Sequence, residues 1–403
     1  MLMKLLENKT VVLGVTGSIA AYKIANLARM CRKAGADVQV LMTENACNFI
    51  NPITFESLTG NKCLIDTFDR NFRYSVEHVA LAKRADVVMI APASANVIGK
   101  IANGIADDML TTTVMACTCK KIVSPAMNHN MYHNPIVQEN IEKLARFGYE
   151  IVTPDHGMLA NGDTGDGRMP DEKTLFAYIL KECAFKKDMT GERVLVTAGA
   201  TRESFDPVRF VTNHSTGKMG IALAQIAMLR GAEVTLVAAH VEAELPMFVN
   251  IIKAESAQEM YDAVTAHFDE STIVVKAAAV ADYRPKVMSD NKIKKSDGDL
   301  VVEFERTPDI LGELGRRKKD QFLCGFSMET EDLLKNSQKK LEKKNLDMIA
   351  ANNLKTEGAG FGVDTNVITL ITKTDAHVLP LMTKQEAAAR IFDEILAIKH
   401  SEK

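Results

Sequence analysis

At 403 residues, 46% hydrophobic and 25% charged, with a formal net charge of −3, the chain has the make-up of a soluble globular protein of two or three domains. So small a charge gives no reason to expect a nucleic-acid or anionic-membrane partner, and no apolar run approaches the roughly 20 residues that span a bilayer. The start lacks the apolar core and cleavage site of a signal peptide. The cysteines (Cys31, Cys47, Cys63, Cys117, Cys119, Cys183 and Cys324) form no paired zinc pattern, so reduced thiols in the cytoplasm are expected.

Thr10–Thr16 reads as a buried strand, and Ser18–Lys33 follows with Ile19, Ile24, Leu27, Ala28 and Cys31 at helical spacing. Gly35 ends that helix before a strand at Asp37–Met42. Asp86–Ile90, Lys121–Ser124 and Glu150–Val152 repeat the theme, which predicts an α/β, doubly wound parallel sheet. A second Rossmann-like unit opens at Arg193–Thr197, after a short charged stretch, and its first helix spans 217–230. Strands at Glu233–Ala238, Thr272–Lys276 and Asp347–Ala351 continue it, with a helix at Asp332–Lys344 before the last. An antiparallel hairpin at Val367–Thr372 and His377–Leu381 precedes the closing helix at Thr383–Lys399. The predicted domains are 1–189 and 190–403.

In the first domain, Gly14-Val-Thr-Gly17-Ser18-Ile19 joins strand to helix, where backbone N–H groups receive a phosphate. The spacing is not that of a dinucleotide fingerprint, so a mononucleotide fits better and a nicotinamide dehydrogenase is disfavoured. Ala91-Pro92-Ala93-Ser94-Ala95-Asn96 and Pro125-Ala126-Met127-Asn128 each follow a strand at the same sheet edge. His78 precedes an apolar helix, and 159–169 is a Gly-rich loop.

Together these pieces, over about residues 8–175, resemble the phosphopantothenoylcysteine decarboxylases. The resemblance implies FMN held by Gly14, Gly17, Ser18, Ile19, Thr43, Ser94 and Asn96, with oxidation of the substrate thiol before carbon dioxide leaves. It implies His78 as the base and Asn128 as the donor that positions the substrate carboxylate, with Arg168 pairing an anion. Asn161 stands where the family has a cysteine that protonates the intermediate, and a primary amide is no usable acid. Three readings stay open: another acid or water serves, the half releases an oxidised product or turns over differently, or the loop register differs.

In the second domain, residues 197–203 and 206–220 surround a helix start with hydroxyls, Asn213 and Lys218, a dense polar run suited to anions. Ser215-Thr-Gly-Lys218 lacks true P-loop spacing. Downstream come the small-residue strand end 276–285, the basic cluster at Lys292–Lys295, Thr307–Leu311, and Lys340 with Lys344 four residues apart.

Nearly all of 190–400 resembles the CTP-dependent phosphopantothenate–cysteine ligases. The resemblance implies an acyl-cytidylate, its carbonyl held by Asn213 and its formation assisted by Lys292, with Arg209 on the substrate phosphate. It places Lys276, Ala277, Ala278, Asp282, Pro308, Asp309, Ile310, Leu311, Phe326, Lys340 and Lys344 around the nucleotide. Mg2+ would bridge the phosphates, with Asp282 the candidate metal ligand. The expected whole is a bifunctional coenzyme A synthesis enzyme. It would act on 4'-phosphopantothenate, L-cysteine and CTP as a homo-oligomer, with no nucleic-acid or membrane partner. Asn161 keeps open an active ligase carrying a flavin-binding module with altered or no turnover.

Overall fold

The computed structural model describes residues 4–69, 76–160, 162–295, 299–329, 333–353, 360 and 362–401. The chain divides into two compact units, Leu2–Phe185 and Lys186–Lys403. Among the described residues, no helix is long and apolar enough to cross a membrane.

The first unit contains β1 (Thr10–Val15), α1 (Ala21–Lys33), β2 (Asp37–Met42), α2 (Pro52–Thr59), α3 (Glu77–Arg84), β3 (Val87–Ala93), α4 (Ala95–Ala102) and α5 (Met109–Ala116). It continues with β4 (Lys120–Pro125), α6 (His129–Tyr132), α7 (Pro135–Arg146), β5 (Glu150–Ile151), β6 (Asp155–Met158), β7 (Thr164–Arg168) and α8 (Glu172–Cys183). Its parallel sheet has the order β2-β1-β3-β4-β5, so the connections turn opposite ways from β1 and β3. Every residue of β3 is buried, as expected for a central strand covered on both faces. Helix α1 buries Ala21, Ile24, Leu27, Ala28 and Cys31. Ile19, placed on that helix by its spacing, precedes it instead and is 55% exposed.

Two expectations change. His78 lies inside α3, whose first residue is Glu77, and does not precede the helix. The segment 159–169 is no simple loop: β6 and β7 pair antiparallel, with His156 opposite Asp166 and Gly157 opposite Gly165.

The second unit runs β8 (Arg193–Ala198), β9 (Arg202–Ser204), β10 (Phe210–Thr212), α9 (Lys218–Leu229), β11 (Glu233–Ala238), β12 (Asn250–Lys253), α10 (Ala257–Phe268), β13 (Ile273–Lys276), β14 (Tyr283–Pro285) and β15 (Phe304–Arg306). Then follow α11 (Ile310–Arg317), β16 (Phe322–Glu329), α12 (Leu333–Lys343), β17 (Met348–Asn353), β18 (Thr365–Asn366), β19 (Ile368–Thr372), β20 (Ala376–Val378), β21 (Met382–Thr383) and α13 (Lys384–Ser401). The main sheet is β12-β11-β8-β13-β16-β17-β19-β20. Its first six strands are parallel in Rossmann order, and β19–β20 is the expected antiparallel hairpin. Helix α9 is buried nearly all round because it packs on β8 and α13.

Candidate active sites

In each parallel sheet the first strand lies where the strand order reverses, and open α/β sheets bind ligands outside the carboxyl ends of the strands there. In the first unit that point lies between β1 and β3. Thr16, fully buried, ties the two strand ends together: its hydroxyl donates to Pro92 O at 2.6 Å and accepts the N–H of Ser94 at 2.9 Å. Ser94 caps α4, and Asn96 lies exposed two residues on. Thr43 joins this edge from the end of β2, its N–H donating to Val15 O at 3.0 Å. Gly14, Gly17, Ser18, Ile19, Thr43, Ser94 and Asn96 thus all belong to the carboxyl edge of β1, β2 and β3.

This edge fits a flavin mononucleotide on three observations. Helix α1 has no side-chain cap; its Ala21 N–H donates to Ser18 O at 3.0 Å and its Lys23 N–H to Ala20 O at 3.1 Å, and the Tyr22 N–H between them remains for an anion. A Cβ on Gly17 would fall 2.8 Å from Asn45 Cβ, so the turn needs the missing side chain. The buried Ser124 hydroxyl at the end of β4 has no hydrogen-bond partner among the described residues.

Asn128 caps α6, its side-chain oxygen accepting the N–H of Asn130 at 2.9 Å; the amide N–H pair is the part left for a carboxylate. The hairpin leans on this segment through a hydrogen bond from Met127 N–H to Gly167 O at 3.1 Å. Arg168, exposed, ends β7. His78 is half-buried on α3. Asn161 lies outside the described residues.

The second unit holds a cleft of about 860 Å³. It unites Asn213, Lys276, Ala277, Ala278, Asp282, Pro308, Asp309, Ile310, Leu311, Phe326, Lys340 and Lys344 from five separate stretches of chain. Its floor is pinned by threonines. Thr197 and Thr201 hydroxyls accept the N–H groups of Ala278 and Ala281, both at 3.0 Å, and the Thr307 hydroxyl donates to Ala281 O at 2.6 Å. Asn213 donates from its amide nitrogen to Ala279 O at 3.2 Å, which leaves its second N–H for a ligand oxygen. Gly217 starts α9 with φ of +75°, and a Cβ there would fall 2.4 Å from Val241 Cγ1. No side chain caps that helix, which suits its N-terminus to an anion.

Six cationic side chains (Lys218, Lys276, Arg306, Lys340, Lys344 and Lys384) meet two carboxylates, Asp282 and Asp309, around this cleft. Enclosure, then the like charge of Lys340, pushes the Lys276 ammonium down to about 8. Desolvation, then Lys218, does the same to Lys384, also to about 8. Burial works to raise the Asp309 carboxyl, but the Lys344 ammonium and the N–H of Gly312 outweigh it and hold it below its usual range. Lys340 reaches Phe326 O at 2.9 Å.

Arg209 and Lys292 lie outside this lining and are linked through Asp206. The fully enclosed Asp206 carboxylate accepts Arg209 Nε at 3.0 Å and the N–H of Ile293 at 3.1 Å, while Arg209 also donates to Ile293 O at 3.0 Å. The Arg209 guanidinium first, then surrounding backbone N–H groups, hold the Asp206 carboxyl well below the usual carboxylate range. The exposed Lys292 thus sits on an anchored loop. Lys384, Arg306, Asn352 and Asn366 line the cleft without having been singled out from sequence, and Lys218 was noted only as part of a motif.

Residues 3–184 match the family model described as Flavoprotein, and residues 189–398 match the DNA/pantothenate metabolism flavoprotein C-terminal domain. The chain is similar to the Coenzyme A biosynthesis bifunctional protein CoaBC of Bacillus subtilis (strain 168), 46% identical over 98% of both chains. It is also similar to the protein of the same name from Vibrio vulnificus (strain YJ016), 43% identical over 98% of both. A crystal structure of the C-terminal domain of such a protein is 42% identical and covers 53% of this chain and 98% of its own, with a TM-score of 0.46.

Proposed function

The chain belongs to the family of bifunctional coenzyme A biosynthesis proteins, and from that premise we infer an enzyme with two reactions, amide ligation followed by decarboxylation. The ligase joins 4'-phosphopantothenate to L-cysteine, and the decarboxylase turns the product into 4'-phosphopantetheine. We assign decarboxylation to residues 1–189 and ligation to 190–403. The reading with a flavin half that does not turn over is not favoured, because the full-length likeness runs through both halves.

The observation that carries the ligase reading is the cationic cleft. Six cations against two carboxylates match a nucleoside triphosphate, and we take CTP as that nucleotide. Lys276, Lys340 and Lys344 hold its phosphates, and the run from Ala277 with Pro308–Leu311 leaves room for sugar and base. Asp282, exposed in the cleft lining, is the carboxylate that would hold a Mg2+, whose charge would offset that of the phosphates. The free N–H of Asn213 steadies the carbonyl of the activated acyl group. Lys292 neutralises charge as that group forms, and Arg209 meets the substrate phosphate.

In the first unit FMN, when bound, supplies the oxidation of the substrate thiol and the final reduction. The residues do the rest. Ser18 and the turn ahead of α1 would take the FMN phosphate, Ser94 and Asn96 would help to hold it, and His78 accepts the thiol proton. Asn128 orients the departing carboxylate, and Arg168 balances its charge. Since Asn161 is no acid, the last proton comes from water or another group. We place the enzyme in the cytoplasm, where its seven free cysteines remain reduced, as a homo-oligomer whose subunits share flavin sites. Incubating the full chain with 4'-phosphopantothenate, L-cysteine, CTP and Mg2+ tests the ligase reading by mass spectrometry. It should yield CMP and the amide or its decarboxylated product; hydrolysis of CTP without amide would defeat it.

A further inference from the structure

Helix α6 and the β6–β7 hairpin bring together side chains that neither reaction uses. His129 opens α6 and His133 caps its C-terminus four residues on, their ring centres 4.4 Å apart. Asp166 reaches them from β7. His133 Nε2 lies 2.8 Å from Asp166 Oδ2, and the Asp166 N–H donates to His129 Nδ1 at 3.1 Å. His129 Nδ1 therefore turns a lone pair toward the hairpin. One donor atom from each of the three residues lies within 4.8 Å of the other two. Gly165 permits this approach, since a Cβ there would fall 2.7 Å from His129 Nδ1. The second carboxylate oxygen, Oδ1, is held by His156 Nδ1 at 2.9 Å, which leaves Oδ2 to face the imidazoles.

We propose that His129, His133 and Asp166 form a three-ligand site for a divalent cation of the zinc class, with His156 orienting the carboxylate. Two imidazoles and one carboxylate suit such borderline cations, whereas Mg2+ and Ca2+ take all-oxygen shells. Bonds of about 2.0–2.1 Å in a tetrahedron set donors roughly 3.3 Å apart, so shifts of about an ångström in these side chains complete the shell. The cation replaces the proton between His133 and Asp166, the Asp166 N–H gives up its bond to His129, and water takes the fourth position. The His133 side chain is 49% exposed and that of Asp166 35%, so the cation enters from solvent. Its effect is to fasten α6, which Asn128 caps, to the hairpin that ends in Arg168. Without the cation, the connection rests on the Met127–Gly167 backbone hydrogen bond and on the hydrogen bonds of His129 and His133 with Asp166.

The test is zinc content of the untagged full chain, stripped with chelator and dialysed against zinc chloride near neutral pH. Wild type should retain one equivalent, His129→Asn and His133→Asn should lose it, and His156→Asn should bind about tenfold more weakly. Cys119→Ser should keep the full equivalent. Cobalt chloride with wild type gives a readout that does not depend on any variant folding: a visible spectrum of nitrogen and oxygen ligands, with no thiolate charge-transfer band. No zinc in wild type, undiminished zinc in His133→Asn, zinc loss in Cys119→Ser, or a thiolate band with cobalt would each overturn the site.

Discussion

The two units use the same kind of sheet edge and furnish it differently. In the second unit the edge is a deep cleft whose charges are already gathered, at a cost borne by Lys276 and Lys384, whose ammonium groups sit near pH 8. At the first unit's edge the strand ends are stitched by one buried threonine, with exposed Ile19 nearby. The difference follows the chemistry. A triphosphate and a second phosphorylated substrate need cations held in place beforehand, since gathering them during reaction would be costly. A flavin brings its own reactivity, so on the proposed reading the chain need add only a phosphate turn, a base and a carboxylate donor.

The strongest way to break this division is to disable one edge and watch the other. Asn213→Asp and Lys292→Gln should each lower amide formation by at least about a hundredfold, with folding and decarboxylation of supplied phosphopantothenoylcysteine unchanged. Wild-type amide formation by either variant would remove that residue from the ligase.

Charge in the second cleft sharpens the comparison through pH. Below about pH 8 Lys276 is charged whether or not nucleotide is bound; above it the free enzyme loses that proton. Bound phosphates favour the ammonium and raise its pKa, so binding takes up a proton at higher pH. Calorimetry should find Kd for CTP flat below pH 8 and rising above it, by up to about tenfold per pH unit for each lysine so perturbed. Lys276→Met should remove one such step. A flat wild-type profile would mean the cleft's lysines do not titrate with ligand.

The smallest effect concerns the first unit. Asn161→Cys restores a thiol acid and should speed decarboxylation by roughly threefold to tenfold, less than a full general-acid contribution because another source already delivers the proton. A rate below wild type would show that the amide has its own role.

Much of the architecture was legible because buried parallel strands are short β-branched runs, and Gly-rich turns marked both sheet edges. The limits were physical. Residues 159–169 read as a loop because glycines weaken strand propensity, yet pairing of His156 with Asp166 across the hairpin supplies the register. Lys384 reaches the cleft because the chain returns there after the main sheet is complete. Lys218 meets Asp364 at 2.7 Å across 146 residues, a contact with no local signal. Lys292 read as part of a solvated charge run, and its loop is anchored by the distant Asp206 carboxylate.

The central claim is that both edges turn over, including the one without a cysteine at 161. Flavin-loaded full chain given synthetic phosphopantothenoylcysteine measures it directly, through carbon dioxide released and product mass. The account predicts one carbon dioxide per molecule of saturated 4'-phosphopantetheine. No carbon dioxide, or a product lighter by two hydrogens, would contradict it.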